Sequence, residues 1–315
     1  MKLESVGQIA IIGTGMIGAS MAALFTGNGY PVVMLAIDDT QEAAGKKRYD
    51  DCYRDLIAKG LVTEKQAAAC ARLLTTTQKY QDMADADFIF ECVFERLDVK
   101  YEVYKQVEEH CRKFRALASS TSALSPEDLA KGFTAKEKLV VAHPWNPPHL
   151  VPCIELLGSS HTSPETLAFA YEVLESVGRK VVVMKKPAPG FIGNRLQHAL
   201  YREAVHMVEE GIASPEDIDK TLQYSFIPRY TSIGLFQHFD YAGLDMVLSI
   251  DDYLFPDLCN AGKGQDYIRS RHDAGDLGQK TGRGVYDWSH IDMEDFRKRA
   301  AQPYLGFFNW SLPEE

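Results

Sequence analysis

The feature that most constrains this chain is Gly13-Thr14-Gly15-Met16-Ile17-Gly18, set between the apolar run Gln8 to Ile12 and the helical stretch Met16 to Gly27. In a GxGxxG loop of this kind the first glycine lets the chain turn and the second lets backbone approach a phosphate. The third lets the helix pack closely on the strand. The helix that follows offers free N–H groups and partial positive charge at its N-terminus. Asn28-Gly29 reads as the stop of that helix, and Val32 to Ile37 as a second β-branched strand. Two strands joined this way are parallel, with a right-handed crossover. The strand before the loop and the helix after it favour a nucleotide site over a purely structural glycine turn.

Further apolar runs at Asp87–Val93, Arg115–Ser119 and Lys138–Ala142 alternate with helical segments such as Val99–Lys113, and Val181–Met184 is another strand candidate. Asp39 to Ala71 is helical in character throughout. Strands alternating with helices predict an α/β fold, a Rossmann-type doubly wound and mostly parallel sheet with its ligand at the C-terminal strand ends. Composition changes at Lys185-Lys186-Pro187-Ala188-Pro189-Gly190, beyond which the only strand candidate is Gly284–Trp288. Asn194–Glu210 carries Leu196, Leu200, Ala204, Met207 and Val208 on one stripe, and Ser214-Pro215 has the form of an N-cap followed by the first helical residue. The expected division is a nucleotide-binding domain over 1–186 and an all-α domain over 187–315.

Charge removes several function classes. A net charge of −10 gives no basic field for nucleic acid or an anionic membrane. No apolar run approaches the ~18 residues that a membrane span needs, and the N-terminal residues lack a leader's apolar core. The six cysteines (52, 70, 92, 111, 153, 259) are scattered, without a CxxC pair or metal-ligand spacing. They are expected to be reduced thiols of a cytoplasmic protein, with no metal.

An acid about twenty residues beyond the glycine loop should bind the adenosine ribose. Ala36 stands at that place, and Asp38 and Asp39 follow it. Asp38 is the candidate ribose ligand. No arginine stands at the strand end to receive a 2′-phosphate, which favours NAD and leaves NADP open.

Chemistry enters with His143-Pro144-Trp145-Asn146-Pro147-Pro148 and with Glu155 beyond it. His143 follows an apolar run and should emerge at a C-terminal strand end. The prolines forbid a helix and predict an extended, rigid path. A carboxylate at Glu155 that reaches one imidazole nitrogen would fix the tautomer and leave the other nitrogen free as a base. A lone histidine is more often a strand-end structural group. Ser119-Ser120-Thr121-Ser122, after another apolar run, and Asn194 in Gly190-Phe191-Ile192-Gly193-Asn194-Arg195 shift that balance. A hydroxyl, an amide, a histidine and a carboxylate suit hydride transfer from a secondary alcohol.

Along nearly its whole length the sequence resembles the L-3-hydroxyacyl-CoA dehydrogenase family. The matching pieces are IAIIGTGMIG, ECVFERLDVK (91–100), SSTSAL (119–124), HPWNPPHLVPCIEL (143–156), PGFIGNRL (189–196), VEEGIASPEDID (208–219) and GQKTGRGVYDW (278–288). The resemblance implies that His143 is the base and Glu155 its partner, with Ser122 and Asn194 holding the reacting oxygen. It implies cofactor contacts at Gly13, Gly15, Met16, Ile17, Gly18, Glu95, Lys100, Ser122, Asn146 and Lys280. It also implies a homodimer joined through the helical, substrate-binding domain.

HPxNPP, GFxxNRLQ and VEEGxxSP look more like the lambda-crystallin or L-gulonate 3-dehydrogenase branch, which includes carnitine dehydrogenases and acts on free 3-hydroxy acids. GQKTGRGVY is closer to the acyl-CoA branch, and Lys59 falls near a CoA contact of that branch, although a helical surface lysine is more often solvated. The substrate thus stays open between a CoA thioester such as 3-hydroxybutyryl-CoA and a free acid such as L-gulonate or carnitine, whose carboxylate would need a cation such as Arg195 or Arg229. A non-catalytic nucleotide-binding structural protein would have been favoured by loss of His143, Glu155 or Asn194, and all three are present. The 6-phosphogluconate type of dehydrogenase shares the fold but relies on a lysine acid-base group, and the SSTS and HPWNPP segments do not fit it. The tail beyond Ser289, with Tyr304, Phe307, Phe308 and Trp310, is too apolar to be free.

Overall fold

The computed structural model describes residues 2–313. Two compact units emerge: one runs to Ile192 and takes in the chain from Arg297 onward, and the other spans Gly193–Phe296.

The first unit is built on one eight-stranded sheet. Its strands are β1 (Ile9–Ile12), β2 (Val32–Leu35), β3 (Leu74–Thr77), β4 (Phe88–Glu91), β5 (Ala116–Ser119), β6 (Leu139–Pro144), β7 (Cys153–Gly158) and β8 (Lys180–Val183), in the order β3-β2-β1-β4-β5-β6-β7-β8. All pairs are parallel except β6 with β7, so the sheet is the mostly parallel doubly wound one that the sequence predicts. Helices α1 (Met16–Gly27), α2 (Asp39–Ala58), α3 (Glu64–Ala71), α4 (Leu97–His110), α5 (Pro126–Lys131) and α6 (Pro164–Ser176) flank it.

The alternation of side chains along each strand sorts them into two cores. Ile9, Ile11, Val32, Met34, Phe88 and Phe90 enter one core with α1 and α6, while Ala10, Ile12, Val33, Leu35, Ile89 and Leu117 enter the other with α4 and α5. Covering on both faces is why these strands read as unbroken apolar runs. Strand β3 escapes a sequence reading because Leu-Thr-Thr-Thr lies at an edge and is only partly buried. The expected helical stretch 39–71 is two helices, broken where Gly60 takes a φ of 70° and Thr63 caps α3 with a reciprocal bond to Gln66.

The second unit holds α7 (Gly193–Glu209), α8 (Pro215–Tyr224), α9 (Leu235–Ala242), α10 (Leu244–Leu254) and α11 (Asp266–Asp273), with α12 (Met293–Leu305) beginning at its end. Ser214 caps α8 by accepting the Asp217 N–H, and Pro215 opens the helix, as the sequence indicates. Residues 284–288 form no strand, only isolated bridges such as Arg283 to Asp287. The apolar tail covers the first unit. Trp310 is buried, its ring edge-on to Tyr53 and packed where a Cβ on Gly27 would stand, and Asn28 accepts the Ser311 N–H at 2.9 Å.

Candidate active site

The glycine loop follows β1. Gly13 takes a φ of 107°, and a Cβ there would lie 2.6 Å from the Cys92 carbonyl oxygen. A Cβ on Gly18 would lie 2.0 Å from the Gly13 oxygen, so the helix can start here only with glycine. Gly15 differs: nothing lies within 4 Å of its would-be Cβ. It leaves open space beside the first amides of α1, with exposed Met16 next to it and Ile17 half-buried against the core. The loop therefore fits a dinucleotide pyrophosphate by its own packing.

At the end of β2, Ala36 is buried and Asp38 is exposed. Asp38 Oδ1 accepts the Gln41 N–H at 2.7 Å and so caps α2, which spends one oxygen of the proposed ribose ligand on the helix. Asp39 and Glu42 stand beside it, both bonded to the Gln78 amide. Acids in this cluster oppose a 2′-phosphate. Ile37 and Phe94, 86% and 82% exposed, follow the ends of β2 and β4, the two neighbours of β1. The sequence reading passed over both, since isolated exposed hydrophobics are common.

Beyond β4 lies a buried ionic cluster. Lys100, fully buried, places its ammonium 2.8 and 3.0 Å from the two Glu91 oxygens and 3.5 Å from Glu95. Glu91, also fully buried, accepts the Ser119 hydroxyl at 2.7 Å and the Tyr104 hydroxyl at 3.2 Å. Glu95 accepts the Thr121 hydroxyl and the backbone N–H groups of Ser122 (3.0 Å) and Ala123 (3.2 Å). Burial alone would raise the Glu95 carboxyl; the Thr121 bond, the Lys100 charge and the two amides outweigh it and hold the group below its usual range. Glu95 thus pins the turn that presents Ser122, which is exposed. Glu91, the center of the cluster, was missed in the sequence because it reads as one more residue of an apolar strand.

His143 and Glu155 face each other as a register pair across the antiparallel strands β6 and β7. Both are buried, and His143 Nδ1 lies 2.9 Å from Glu155 Oε2. Glu155 Oε1 accepts the Ile192 N–H at 2.7 Å. With the carboxylate accepting the Nδ1 proton, the neutral imidazole presents Nε2 as an acceptor, and that nitrogen makes no hydrogen bond among the described residues. Phe191 packs against the histidine with ring centroids 5.3 Å apart and planes tilted by 54°, and Trp145 flanks it at 6.1 Å. Phe191 has a φ of 50°, a conformation that costs a bulky residue roughly 1–3 kcal/mol and that clusters at functional sites. A turn that brings both its ring and the next amide to the His–Glu pair accounts for its retention.

The expected extended path after His143 is instead a tight turn, with the Leu150 and Val151 N–H groups both donating to the Pro147 oxygen. The reason is topological: β7 returns antiparallel, so the chain must reverse. Asn146 sits exposed on this turn. Asn194 lies in the first turn of α7 and Lys280 is exposed in a short 3₁₀ turn, both in the second unit. Arg229 is exposed there too, its guanidinium 3.0 Å from His238 Nε2. Lys59 is not a solvated surface lysine: its ammonium is bound by Asp55, and its side chain is 15% exposed. A groove of about 490 Å³ in the second unit, lined by apolar side chains including Leu200, Val205 and Ile218, contains none of these residues.

A glycine loop with room for a phosphate at one strand end and a buried histidine oriented by a carboxylate at another are features that a nucleotide-dependent dehydrogenase requires. Comparison with known proteins agrees. Residues 8–187 match the model of the 3-hydroxyacyl-CoA dehydrogenase NAD binding domain, and residues 190–288 that of the 3-hydroxyacyl-CoA dehydrogenase C-terminal domain. A 5-formyl-3-hydroxy-2-methylpyridine 4-carboxylate 5-dehydrogenase from Mesorhizobium japonicum is 32% identical over 279 residues, 89% of this chain and 90% of its own. An L-carnitine dehydrogenase from Oceanobacillus iheyensis is 35% identical over 238 residues, 75% of this chain and 76% of its own. A crystal structure of a 5-formyl-3-hydroxy-2-methylpyridine 4-carboxylic acid 5-dehydrogenase, described as an NAD+-dependent dismutase, has a TM-score of 0.85 at 29% identity, covering 96% of this chain and 97% of that one. The chain belongs to the 3-hydroxyacyl-CoA dehydrogenase family. It is an NAD-dependent oxidoreductase acting on CH–OH groups.

Proposed function

We propose that the protein oxidises the 3-hydroxyl group of a small free hydroxy acid, without a CoA carrier. The observation that carries this reading is Lys59. The family resemblance places it near a CoA contact, yet here its charge is spent on Asp55, which also faces His149 at 3.4 Å. A phosphate approaching Lys59 would have to displace a carboxylate already in place. Two relatives support the absence of a CoA carrier: one is named for a pyridine carboxylate and the other for L-carnitine, and neither name contains a thioester.

In this reading His143 Nε2 takes the hydroxyl proton, and Glu155 stabilises the imidazolium that results. General-base catalysis of this kind contributes roughly 10²–10⁴-fold. Bound NAD supplies the hydride acceptor. Ser122, on the turn pinned by Glu95, would donate to the reacting oxygen, a role that the family resemblance also gives Asn194. The first amides of α1 would hold the pyrophosphate, Asp38 keeps one oxygen for the ribose, and Ile37 and Phe94 offer apolar faces for adenine. Lys100 supports Glu95, and Asn146 would be a further cofactor contact, as the resemblance also implies for Lys280. Exposed apolar side chains on α9 and α10, among them Phe236 (88%), Tyr241 (90%) and Tyr253 (87%), support a homodimer formed through the second unit. The cysteines, all free, suit the reducing cytoplasm.

Steady-state rates with NAD on L-gulonate, carnitine, 3-hydroxybutyrate and 3-hydroxybutyryl-CoA test the substrate class. One free acid should exceed the thioester in kcat/KM by about 10²-fold, equivalent to roughly 2.7 kcal/mol of transition-state binding. A thioester that equals or exceeds the free acids, or no rate on any of the four, would defeat the reading.

A further inference from the structure

His149 is a buried titratable residue with no part in the chemistry above. It lies on the turn between β6 and β7, three positions after Asn146. Its side chain reaches α1, the helix that opens on the glycine loop. Ser20, 1% exposed on that helix, brings its hydroxyl oxygen 2.9 Å from the His149 backbone nitrogen and 2.8 Å from His149 Nδ1. A hydroxyl can satisfy both: it accepts the backbone N–H and donates its own proton to Nδ1. The proton of the neutral imidazole then sits on Nε2 and points at Asp55 Oδ2, 3.4 Å away on α2.

A second buried side chain secures the same turn. Arg179, 1% exposed, donates to the carbonyls of Pro148 at 2.9 Å and Val151 at 3.3 Å, and to that of Val177 at 3.4 Å at the end of α6. The turn is thus tied to α1 and α2 through His149, and to the α6 terminus through Arg179. A connection that only joined two strands would need neither buried group, because its carbonyls could face water.

We propose that His149 is a positioning residue of the dehydrogenase reaction: by bonding to Ser20 it locks the turn that carries Asn146 onto the pyrophosphate helix. The His149 side chain thereby helps to set the distance between the cofactor-binding helix and the end of β6, where His143 stands. This inference rests on the roles proposed for His143 and Asn146. Hydride transfer is sensitive to such a link, because a misplacement of about 1 Å can cost about 10²-fold in rate.

The test uses isosteres. Asparagine places its amide oxygen where His149 Nδ1 stands and so keeps the acceptor for Ser20, whereas phenylalanine fills the space with no acceptor. His149→Phe should lower kcat about 10- to 10²-fold, while His149→Asn keeps it within about threefold of wild type and the NADH dissociation constant of both stays within about threefold. Ser20→Ala removes the bond from the helix side, adds a good helix former, and should reproduce the loss. The double variant His149→Phe/Ser20→Ala should be no slower than the worse single variant. Melting temperatures that fall with kcat unchanged would show a structural role only and overturn the proposal. So would His149→Asn as slow as His149→Phe. Should wild type turn over none of the tested acids, the substrate reading falls by itself. His149 is then judged by the fluorescence lifetime of bound NADH, altered in His149→Phe and restored in His149→Asn; an unaltered lifetime in His149→Phe would overturn it.

Discussion

Replacing Glu155 by glutamine changes one atom at the center of the site and exposes what the carboxylate does. Both of its oxygens are engaged, Oε2 with His143 Nδ1 at 2.9 Å and Oε1 with the Ile192 N–H at 2.7 Å. A glutamine has only one carbonyl oxygen to offer. If that oxygen turned to His143, its NH₂ would face the Ile192 N–H, so two donors would meet where one hydrogen bond is now made. The imidazole can shift its proton between nitrogens and the backbone amide cannot. The oxygen therefore stays on Ile192, and the NH₂ faces Nδ1, which becomes the acceptor. The neutral histidine then carries its proton on Nε2, where the base is needed. The imidazolium also loses its counter-charge, which two unit charges 4 Å apart make worth about 4 kcal/mol at an effective dielectric of 20. At 1.36 kcal/mol per factor of ten, kcat should fall by roughly 10³-fold. The assay is NADH appearance at saturating substrate, paired with NADH affinity by fluorescence. Affinity should stay near the wild-type value, because the glycine loop lies on other strands. A variant retaining more than a tenth of wild-type kcat, or one whose NADH affinity falls in step with kcat, would refute the tautomer reasoning.

The glycine loop separates two kinds of glycine. Gly18→Ala forces a Cβ to 2.0 Å from the Gly13 oxygen and should give little folded protein, whereas Gly15→Ala meets open space and should fold with wild-type melting but bind NADH more weakly; normal NADH binding by Gly15→Ala would contradict the pyrophosphate assignment. Lys100→Met leaves Glu91 buried without its cation and should cost about 3–5 kcal/mol in urea unfolding, with much of that recovered in Glu91→Gln/Lys100→Met. Glu95 has a folded-state pKa below its unfolded one, so its contribution is complete above the ordinary carboxylate value of about 4.3 and fades as pH falls below it. Urea titrations should therefore show wild type losing more stability than Glu95→Gln as pH drops through that range, and parallel losses would argue that Glu95 does not pin the Ser122 turn.

Much of the fold was legible because the strands β1, β2, β4, β5 and β6 are buried on both faces and announce themselves as apolar runs. Strand β3 was not, since a threonine edge strand needs its neighbour β2 before it has a reason to be extended. The His143–Glu155 pairing was readable as chemistry but not as geometry. A spacing of twelve residues suits several connections, and only the antiparallel return of β7 makes the two a register pair. Lys59 illustrates the opposite failure. Its neighbour Asp55, one helical turn back, is visible in the sequence, yet exposed i,i+4 pairs are weak and common. What raises its significance is burial and the approach of His149 from a turn far along the chain. Phe191 carried no signal at all, because a positive φ at an aromatic residue cannot be read from its identity.

The central claim is that His143 Nε2 is the group that meets the reacting oxygen. A crystal structure of the protein with NADH and the 3-hydroxy acid, a pair that cannot exchange hydride, tests it most directly. The substrate's 3-hydroxyl oxygen should lie within about 2.6–3.2 Å of His143 Nε2, the distance of a competent general base. The same complex should hold the nicotinamide C4 about 3–3.5 Å from the substrate C3. A 3-hydroxyl group bound elsewhere, with His143 Nε2 facing water or protein alone, would contradict the account.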